Sequence, residues 1–579
     1  MNNDRIADLF AQLADLLEFQ AANPFRVRAY RNAARTIRDL PNSIAAIIRE
    51  DAKQLEAIPG IGKQVAEKCV VLVETGELPQ LKELFDKIPP SVMDLLRVPG
   101  MGPKKAAVLH RELKIQSLDD LRAACKSNQV QALKGFGEKT EASILKQLDR
   151  PDLKELRVYW SQADEIVTAL KHFFSDVPSI EQLEFAGSYR RGQETVGDLD
   201  ILVIATDPHP VMDRLAAFPG VQEVLVRGDT KMSVQLDSRL QIDLRVVPQE
   251  SFGAALQYFS GSKAHNVELR QRARQQKLKI NEYGVFKIDG EEQTRIAGDT
   301  EASVYAALDL PCFPPELREN RFEFAWAKAG NLPDLITEKD ILGDLHMHTT
   351  ETDGRHSLEE MAEAAVARGL TYIAITDHSQ RVTMANGLDP DRLRQQWKKI
   401  DQLNDEYDAR LQILKGIECD ILEDGQLDLP DDVLAEADWV VASIHYGQNQ
   451  PREKITSRII GALKHPYVSV IAHPTGRLLN RRPPYEVDLD AVLEVAATHG
   501  KMMELNANPA RLDLNDVHCL AASQRNIKIV ISTDAHSKQG LETLKYGILQ
   551  ARRGGLTCAD VANTLPWPQF RERLPKFRS

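Results

Sequence analysis

At 579 residues the chain is too long for a single hydrophobic core, and domains of roughly 100–200 residues predict three to five units. A hydrophobic share of 43% and a charged share of 27% are those of ordinary globular domains. No apolar run approaches the ~20 residues a bilayer crossing needs, so the expectation is a cytoplasmic protein with no membrane partner. Six scattered cysteines with no CxxC pair exclude a disulfide framework and a thiolate zinc site. A net charge of -12 argues against nucleic acid only as a sum, because residues 1–150 hold 23 Lys+Arg against 20 Asp+Glu and residues 260–287 are basic.

Residues 1–145 show apolar positions at helical spacing, broken by Pro-Gly turns. Ile58-Pro59-Gly60-Ile61-Gly62-Lys63 and Val98-Pro99-Gly100-Met101-Gly102-Pro103 are near copies, each opening a helix, and a weaker third version stands at Lys134-Gly135-Phe136-Gly137-Glu138. Glycines at such a turn leave backbone N–H groups free to meet a phosphate without reading a base, and Lys63, Lys104 and Lys105 add charge beside them. A plain packing turn is the alternative for any single copy; repetition favours a DNA backbone as the partner.

Residues 150–250 alternate helical and β-rich runs. Gly187 and Ser188 sit where a strand passes into a helix, a place that grips phosphate, with Arg191 to neutralise charge. Asp198 and Asp200 are two apart on a predicted strand and share one face, and Asp243 on another strand completes a triad. Three converging carboxylates call for divalent ions, and hard oxygen ligands select Mg²⁺ or Mn²⁺, the pairing suited to displacement at phosphorus. In residues 251–317 the segment from Tyr258 to Asn266, followed by Arg270, precedes an Arg- and Lys-rich helix. Residues 318–338 show no clear pattern and read as a linker.

From Lys339 on, short apolar runs end repeatedly in polar residues, with helical segments between them, which predicts a β/α barrel of seven units with its chemistry on one rim. Ten of the 14 histidines fall here. His346, His348, Asp353, His378, Glu418, His445, His473, Asp534 and His536 stand at the strand ends, a set able to hold two or three ions, with imidazole favouring Zn²⁺ or Mn²⁺. Glu418 is suited to bridging two of them, Arg477 to meeting a substrate phosphate, and His356 and Asp377 to supporting the ligands. His110, His172, His209, His265, His465, His499 and His518 lack such company and read as surface or packing residues.

The Pro-Gly turns resemble the helix-hairpin-helix motif of DNA repair proteins. Gly187-Ser188 with Asp198 and Asp200 resembles the nucleotidyltransferase superfamily, and the Tyr258–Asn266 segment narrows this to the thumb of bacterial and archaeal family X DNA polymerases. The nine C-terminal residues resemble the ligand set of the PHP phosphoesterases. The resemblance implies a multidomain chain. An all-α helix-hairpin-helix region would comprise a lyase-like domain (1–80) and a fingers-like domain (81–149), followed by an α+β palm (150–250) and thumb (251–317). The linker (318–338) would lead to a distorted (β/α)7 PHP barrel (339–579). It implies that Gly187, Ser188, Arg191, Gly197, Tyr258, Phe259, Gly261, Lys263 and Asn266 meet the nucleotide. Gly60, Gly62, Lys63, Gly100, Gly102, Lys104, Lys105 and Arg270 would meet DNA, and Asp198, Asp200 and Asp243 would carry catalysis. Lys68 occupies the place of the Schiff-base lyase nucleophile of the eukaryotic enzymes, with a phosphate-contacting helix lysine as the alternative. Val196 and Lys263 depart from the animal enzymes, which carry serine and aspartate there. The implied function is short-gap synthesis in base excision or end repair by a monomer acting on gapped or nicked DNA and dNTPs. The PHP site would add 3′–5′ exonuclease, phosphatase or AP endonuclease chemistry. The rival reading is a PHP small-molecule phosphatase joined to an idle, DNA-binding polymerase-like region.

Overall fold

The computed structural model describes residues 1, 3–88, 91–96, 98, 101–148 and 157–574, in two compact units, Met1–Leu156 and Arg157–Ser579. The first unit is helical. Its three Pro-Gly or Lys-Gly turns share one geometry in the described residues: the middle apolar residue, Ile61, Met101 or Phe136, is buried, and its N–H closes a turn onto the carbonyl of Ile58, Val98 or Leu133. Burying that plug turns the following glycine outward. Gly62 and Gly102 thus cap the helices Lys63–Thr75 and Pro103–Leu113, and Glu138–Leu148 follows Gly137. Gly60 sits at φ +94°, where a side chain would be strained.

The second unit begins with a five-stranded sheet of β1 (Ile180–Phe185), β2 (Asp198–Ala205), β3 (Val221–Arg227), β4 (Lys231–Leu236) and β5 (Gln241–Val246), in the order β1-β2-β5-β4-β3. Only the β2–β5 pair is parallel. Alternation divides β2 cleanly. Leu199, Ile201 and Val203 pack with Val167, Leu170 and Leu215 of the helices Trp160–Phe174 and Pro208–Ala216. On the opposite face Leu202 and Ile204 pack with Phe252, Ala255 and Leu256, and Asp198 and Asp200 project from that same face at the strand's start.

After the helices Phe252–Ser260 and Lys263–Gln275 comes an antiparallel sheet of β6 (Leu278–Asn281), β7 (Gly284–Asp289) and β8 (Glu292–Ala297). The stretch 318–338, expected to be a linker, is packed. It carries the helix Glu323–Ala329, Arg318 is buried on Glu301 and the Phe313 carbonyl, and Glu323 is buried on His265. Its polar residues are buried as pairs, so its sequence lacks the apolar rhythm by which a packed segment is read.

The C-terminal sheet has seven parallel strands in sequence order: β9 (Gly343–Asp344), β10 (Tyr372–Ile375), β11 (Gln412–Asp420), β12 (Trp439–Ser443), β13 (Val470–Ile471), β14 (Met502–Asn506) and β15 (Ile529–Ser532). A parallel bridge between Met347 and Ala535 brings the first strand's end to the last's, so the sheet curls into a nearly closed barrel. Leu345, Ala374, Leu414, Val441 and Val530 fill its interior, and Phe570 and Leu574 pack on Tyr372 and Trp439 at the strand starts. The carboxyl ends of the strands are left for chemistry.

Candidate active sites

In the palm the parallel register sets Asp200 directly beside Asp243. Gly187, at φ +66°, lies so close that a Cβ there would stand 2.5 Å from Asp200 Oδ2, which is why glycine is needed at the strand-to-helix turn. Ser233 Oγ and Gln241 Nε2 donate to the two oxygens of Asp243 and fix its carboxylate, and neither was nominated from the sequence. Burial raises the Asp198 and Asp200 carboxyls, and repulsion among the three acids raises them further, Asp200 to about 7. Arg245, two residues beyond Asp243 on the same face of β5, opposes that shift, another role the sequence reading missed although the spacing holds the signal. A triad under such mutual repulsion fits divalent cations, and the buried Ser188 Oγ lacks a hydrogen-bond partner among the described residues, as a phosphate-binding hydroxyl requires.

Around this triad the other nominated residues are variously engaged. Arg191 is held by Glu319 at 3.0 Å and by the Ser260 carbonyl, beside Gly261, so its charge is already paired. Asn266 is buried, accepting from Gln257 and donating to the Tyr258 carbonyl at 2.7 Å each. Tyr258 and Phe259 meet edge to face, with Arg245 over Phe259. Lys263 is exposed, Arg270 bonds the Asn266 carbonyl, and Gly197 lies against Arg157. In the helical unit Lys63 and Lys104 are exposed and Lys68 is half-buried on the helix after the first turn, while Gly100 lies outside the described residues.

At the barrel rim all nine nominated residues come together. Glu418, fully buried on β11, is the hub: His378 Nδ1 stands 2.8 Å from its carboxylate, His473 Nε2 3.1 Å, His445 Nε2 3.4 Å, His346 Nε2 3.5 Å and His348 Nε2 3.7 Å. Asp534 lies 3.2 Å from His348, and Asp353 reaches His348, His378 and His536 between 3.4 and 3.8 Å. Burial alone would raise the Glu418 and Asp534 carboxyls, yet the surrounding imidazoles hold both well below the usual range. Burial and the neighbouring His378 push His348 down to about 3, and burial with Arg511 pushes His473 down to about 4, so both rings present neutral lone pairs. Among the described residues, the buried His346 Nε2, His348 Nδ1 and Glu418 Oε2 have no partner in hydrogen-bonding geometry. Orphaned, converging lone pairs of this kind fit cations, and imidazole with carboxylate fits zinc or manganese.

A deeper layer of acids, largely unseen from sequence, orients the ligands. Glu504 on β14 accepts from His346 Nδ1 and from the His473 backbone N–H, both at 2.6 Å. Asp420 takes the His445 N–H and Nδ1, Asp344 takes Thr533, and both oxygens of Asp377 take Thr349 and Gln396. His356 accepts from the Lys538 N–H, away from the ligand cluster. Arg477, expected at a substrate phosphate, is instead buried in the joint with the palm. It clasps Glu194, in the loop between Arg191 and Asp198, and the Leu512 carbonyl. The same loop is held by Arg553 on the Arg191 carbonyl at 2.8 Å and Gln550 on the Gly192 carbonyl at 2.9 Å.

Residues 1–78 match the helix-hairpin-helix domain, 92–150 a helix-hairpin-helix tandem, 157–249 the DNA polymerase beta palm, 255–319 the DNA polymerase beta thumb and 344–508 the PHP domain. A Bacillus subtilis protein, DNA polymerase/3′-5′ exonuclease PolX, is 40% identical over 566 residues, 97% of each chain. The chain belongs to the PolX-type DNA polymerases. Membership of that family brings a polymerase and a PHP phosphoesterase into one enzyme, with divalent metals, DNA and dNTPs as the implied requirements. A phosphatase-named sequence from Thermoanaerobacter is 30% identical over 234 residues, 38% of this chain, and DNA polymerase lambda of the rat is 26% identical over 290, 45% of it. Each partial match covers only a part of what the PolX match spans, which disfavours the rival reading of a phosphatase beside an idle polymerase. No helix among the described residues is long and apolar enough to cross a membrane.

Proposed function

We propose that the chain fills short gaps in DNA at the palm triad and trims 3′ ends at the barrel rim. The observation that carries this is the completeness of both clusters in one PolX-type chain: Asp198, Asp200 and Asp243 share one face across parallel strands, and eight His and Asp residues cluster with Glu418. Bound divalent ions would polarise phosphorus–oxygen bonds and supply nucleophile activation at each site, Mg²⁺ or Mn²⁺ in the palm and Zn²⁺ or Mn²⁺ at the rim.

The residues contribute the rest. Asp198, Asp200 and Asp243 would hold the palm ions, with Ser233 and Gln241 fixing the orientation of the Asp243 carboxylate. Ser188 Oγ and the backbone at Gly187 would take phosphate oxygens of the nucleotide. Tyr258 and Phe259 form an apolar edge for its sugar. Base contact by Asn266 requires exchanging its bonds to Gln257 and the Tyr258 carbonyl, so it would accompany closure on substrate. The three outward turns of the helical unit, with Lys63, Lys104 and Lys105, would hold phosphates of the strand in a manner that weakens steeply with salt.

Gapped duplex with dNTPs, and a 3′-labelled strand without them, separate the two activities. Asp200→Ala should cut gap filling by on the order of 10³-fold and spare 3′ trimming, and His348→Ala should do the reverse. Loss of both activities in either variant, with thermal unfolding unchanged, overturns the assignment of separate sites.

A further inference from the structure

A cavity of about 270 Å³ opens over the barrel ligands. That is close to the small end of the ~300–1,000 Å³ range of ligand pockets. Its floor is the ligand set already described, but its walls are not. One wall is the turn Val382, Met384 and Ala385, with Met384 89% exposed at the mouth. Arg511 is the one Arg or Lys among the described residues lining the cavity. Its guanidinium approaches Asp534 at 3.4 Å and, among the described residues, makes no side-chain hydrogen bond, whereas both terminal nitrogens of Arg477 are engaged by Glu194 and the Leu512 carbonyl.

The turn that carries Arg511 is built rather than loose. Asn508 accepts the N–H groups of Ala510, Arg511 and Leu512, the Ala510 carbonyl accepts from Leu479, and Leu512, at φ +44°, offers its carbonyl to Arg477. A cation so held, at the edge of a ligand cluster with unsatisfied donor demand, suits a non-bridging phosphate oxygen. The exposed thioether and its neighbours suit a flat, weakly polar group joined to that phosphate.

We propose that Arg511 binds the substrate phosphate at the barrel centre and that the Val382–Ala385 turn is the wall for the attached nucleoside. This rests on the trimming activity proposed above. It divides recognition in two: Arg511 reads phosphate whatever it is attached to, and Met384 contributes only when a nucleoside is present.

The test uses the full-length, manganese-loaded chain in an Asp200→Ala, Ser188→Ala background, which weakens both the ion-mediated and the hydroxyl contact to nucleotide in the palm. Inorganic phosphate and a 5′-deoxynucleoside monophosphate, dTMP, are titrated by calorimetry. Arg511→Ala should weaken both about tenfold or more, with Arg511→Lys recovering part of the loss. Met384→Ser should weaken dTMP about threefold and leave phosphate unchanged. Manganese per chain and thermal unfolding report whether the variants still hold their ions and fold. Unchanged phosphate affinity in folded, metal-loaded Arg511→Ala overturns the first assignment, and equal weakening of phosphate and dTMP in Met384→Ser overturns the second. If the parent chain binds phosphate as expected yet releases no mononucleotides from a 3′ end, the trimming reading falls while the phosphate assignment to Arg511 stands.

Discussion

In the palm, three carboxylates face one another with Arg245 and Arg191 as the opposing cations, and Asp200 is pushed up to about 7. At the barrel rim, Glu418 and Asp534 are buried more deeply, yet both lie well below the usual carboxylate range, because histidines rather than other acids surround them. Depth alone therefore does not set the charge state; the neighbours do. The palm triad gains most from a hard cation and competes with protons for it. At the rim His346 and His378 are raised and offset the buried acids, while His348 and His473 are pushed down and offer softer, neutral nitrogen lone pairs.

The largest expected effect tests whether the two regions are one mechanical piece. Arg477 and Glu194 form a pair that is nearly buried on the arginine side and 24% exposed on the carboxylate side. Removing one partner of a buried pair costs ~3–5 kcal/mol, so Glu194→Ala, which leaves the guanidinium stranded, should approach that range. Arg477→Ala leaves a carboxylate that water can reach and should cost less, about 2 kcal/mol. The double variant should be less destabilised than the sum of the singles, by more than about 1 kcal/mol. Thermal unfolding of the four proteins measures this, and strict additivity would mean that the clasp carries no coupling. Because Glu194 lies between Arg191 and Asp198, the weaker variant should also raise the KM for dNTP.

A smaller effect separates the two sites by their supporting shells. Glu504→Gln keeps the shape of the side chain but presents an amide N–H₂ where the carboxylate accepts either His346 Nδ1 or the His473 N–H. Loss of such a partner behind a metal-bound histidine typically costs ~10–100-fold in metal affinity. Metal retained after dialysis against graded chelator should fall by that factor at the rim while gap filling is unchanged. Equal retention in the variant and the parent would show that Glu504 only fills space.

Much of this contrast could be read before any coordinates. Asp198 and Asp200 declared a shared face through period 2, and the rim ligands stood where apolar runs ended, since a parallel strand's interior is apolar and its polar residues collect at the end. The seven-stranded barrel followed from the same rhythm. Other features were illegible because their partners lie far away in sequence. Arg477 has the context of a substrate-binding arginine, and only its bond to Glu194, 283 residues earlier, shows that it is structural. Residues 318–338 looked like a tether because Arg318 and Glu323 are polar, but both are buried against Glu301 and His265. Glu504 reads as one polar residue inside an apolar strand; its role appears only once His346 is brought beside it.

The smallest effect is one of pH, and its sign follows from the palm. Asp200 is raised from 3.8 to about 7, so the folded, metal-free site binds a proton that the unfolded chain has already released. Ionising this carboxyl therefore costs stability progressively as pH rises from about 4 to about 7, and cation binding offsets that cost. Below pH ~7 a proton must leave for an ion to enter, and the Mg²⁺ concentration giving half-maximal gap filling should fall severalfold per pH unit, levelling off above pH ~7.5. At the rim the carboxylates lie well below the usual range, so they impose no such proton competition in this window, and metal retention there should follow the histidines instead. A half-saturating Mg²⁺ concentration that stays flat from pH 5.5 to 8 would show that Asp200 is already ionised without its cation, which would remove the electrostatic distinction between the two centres.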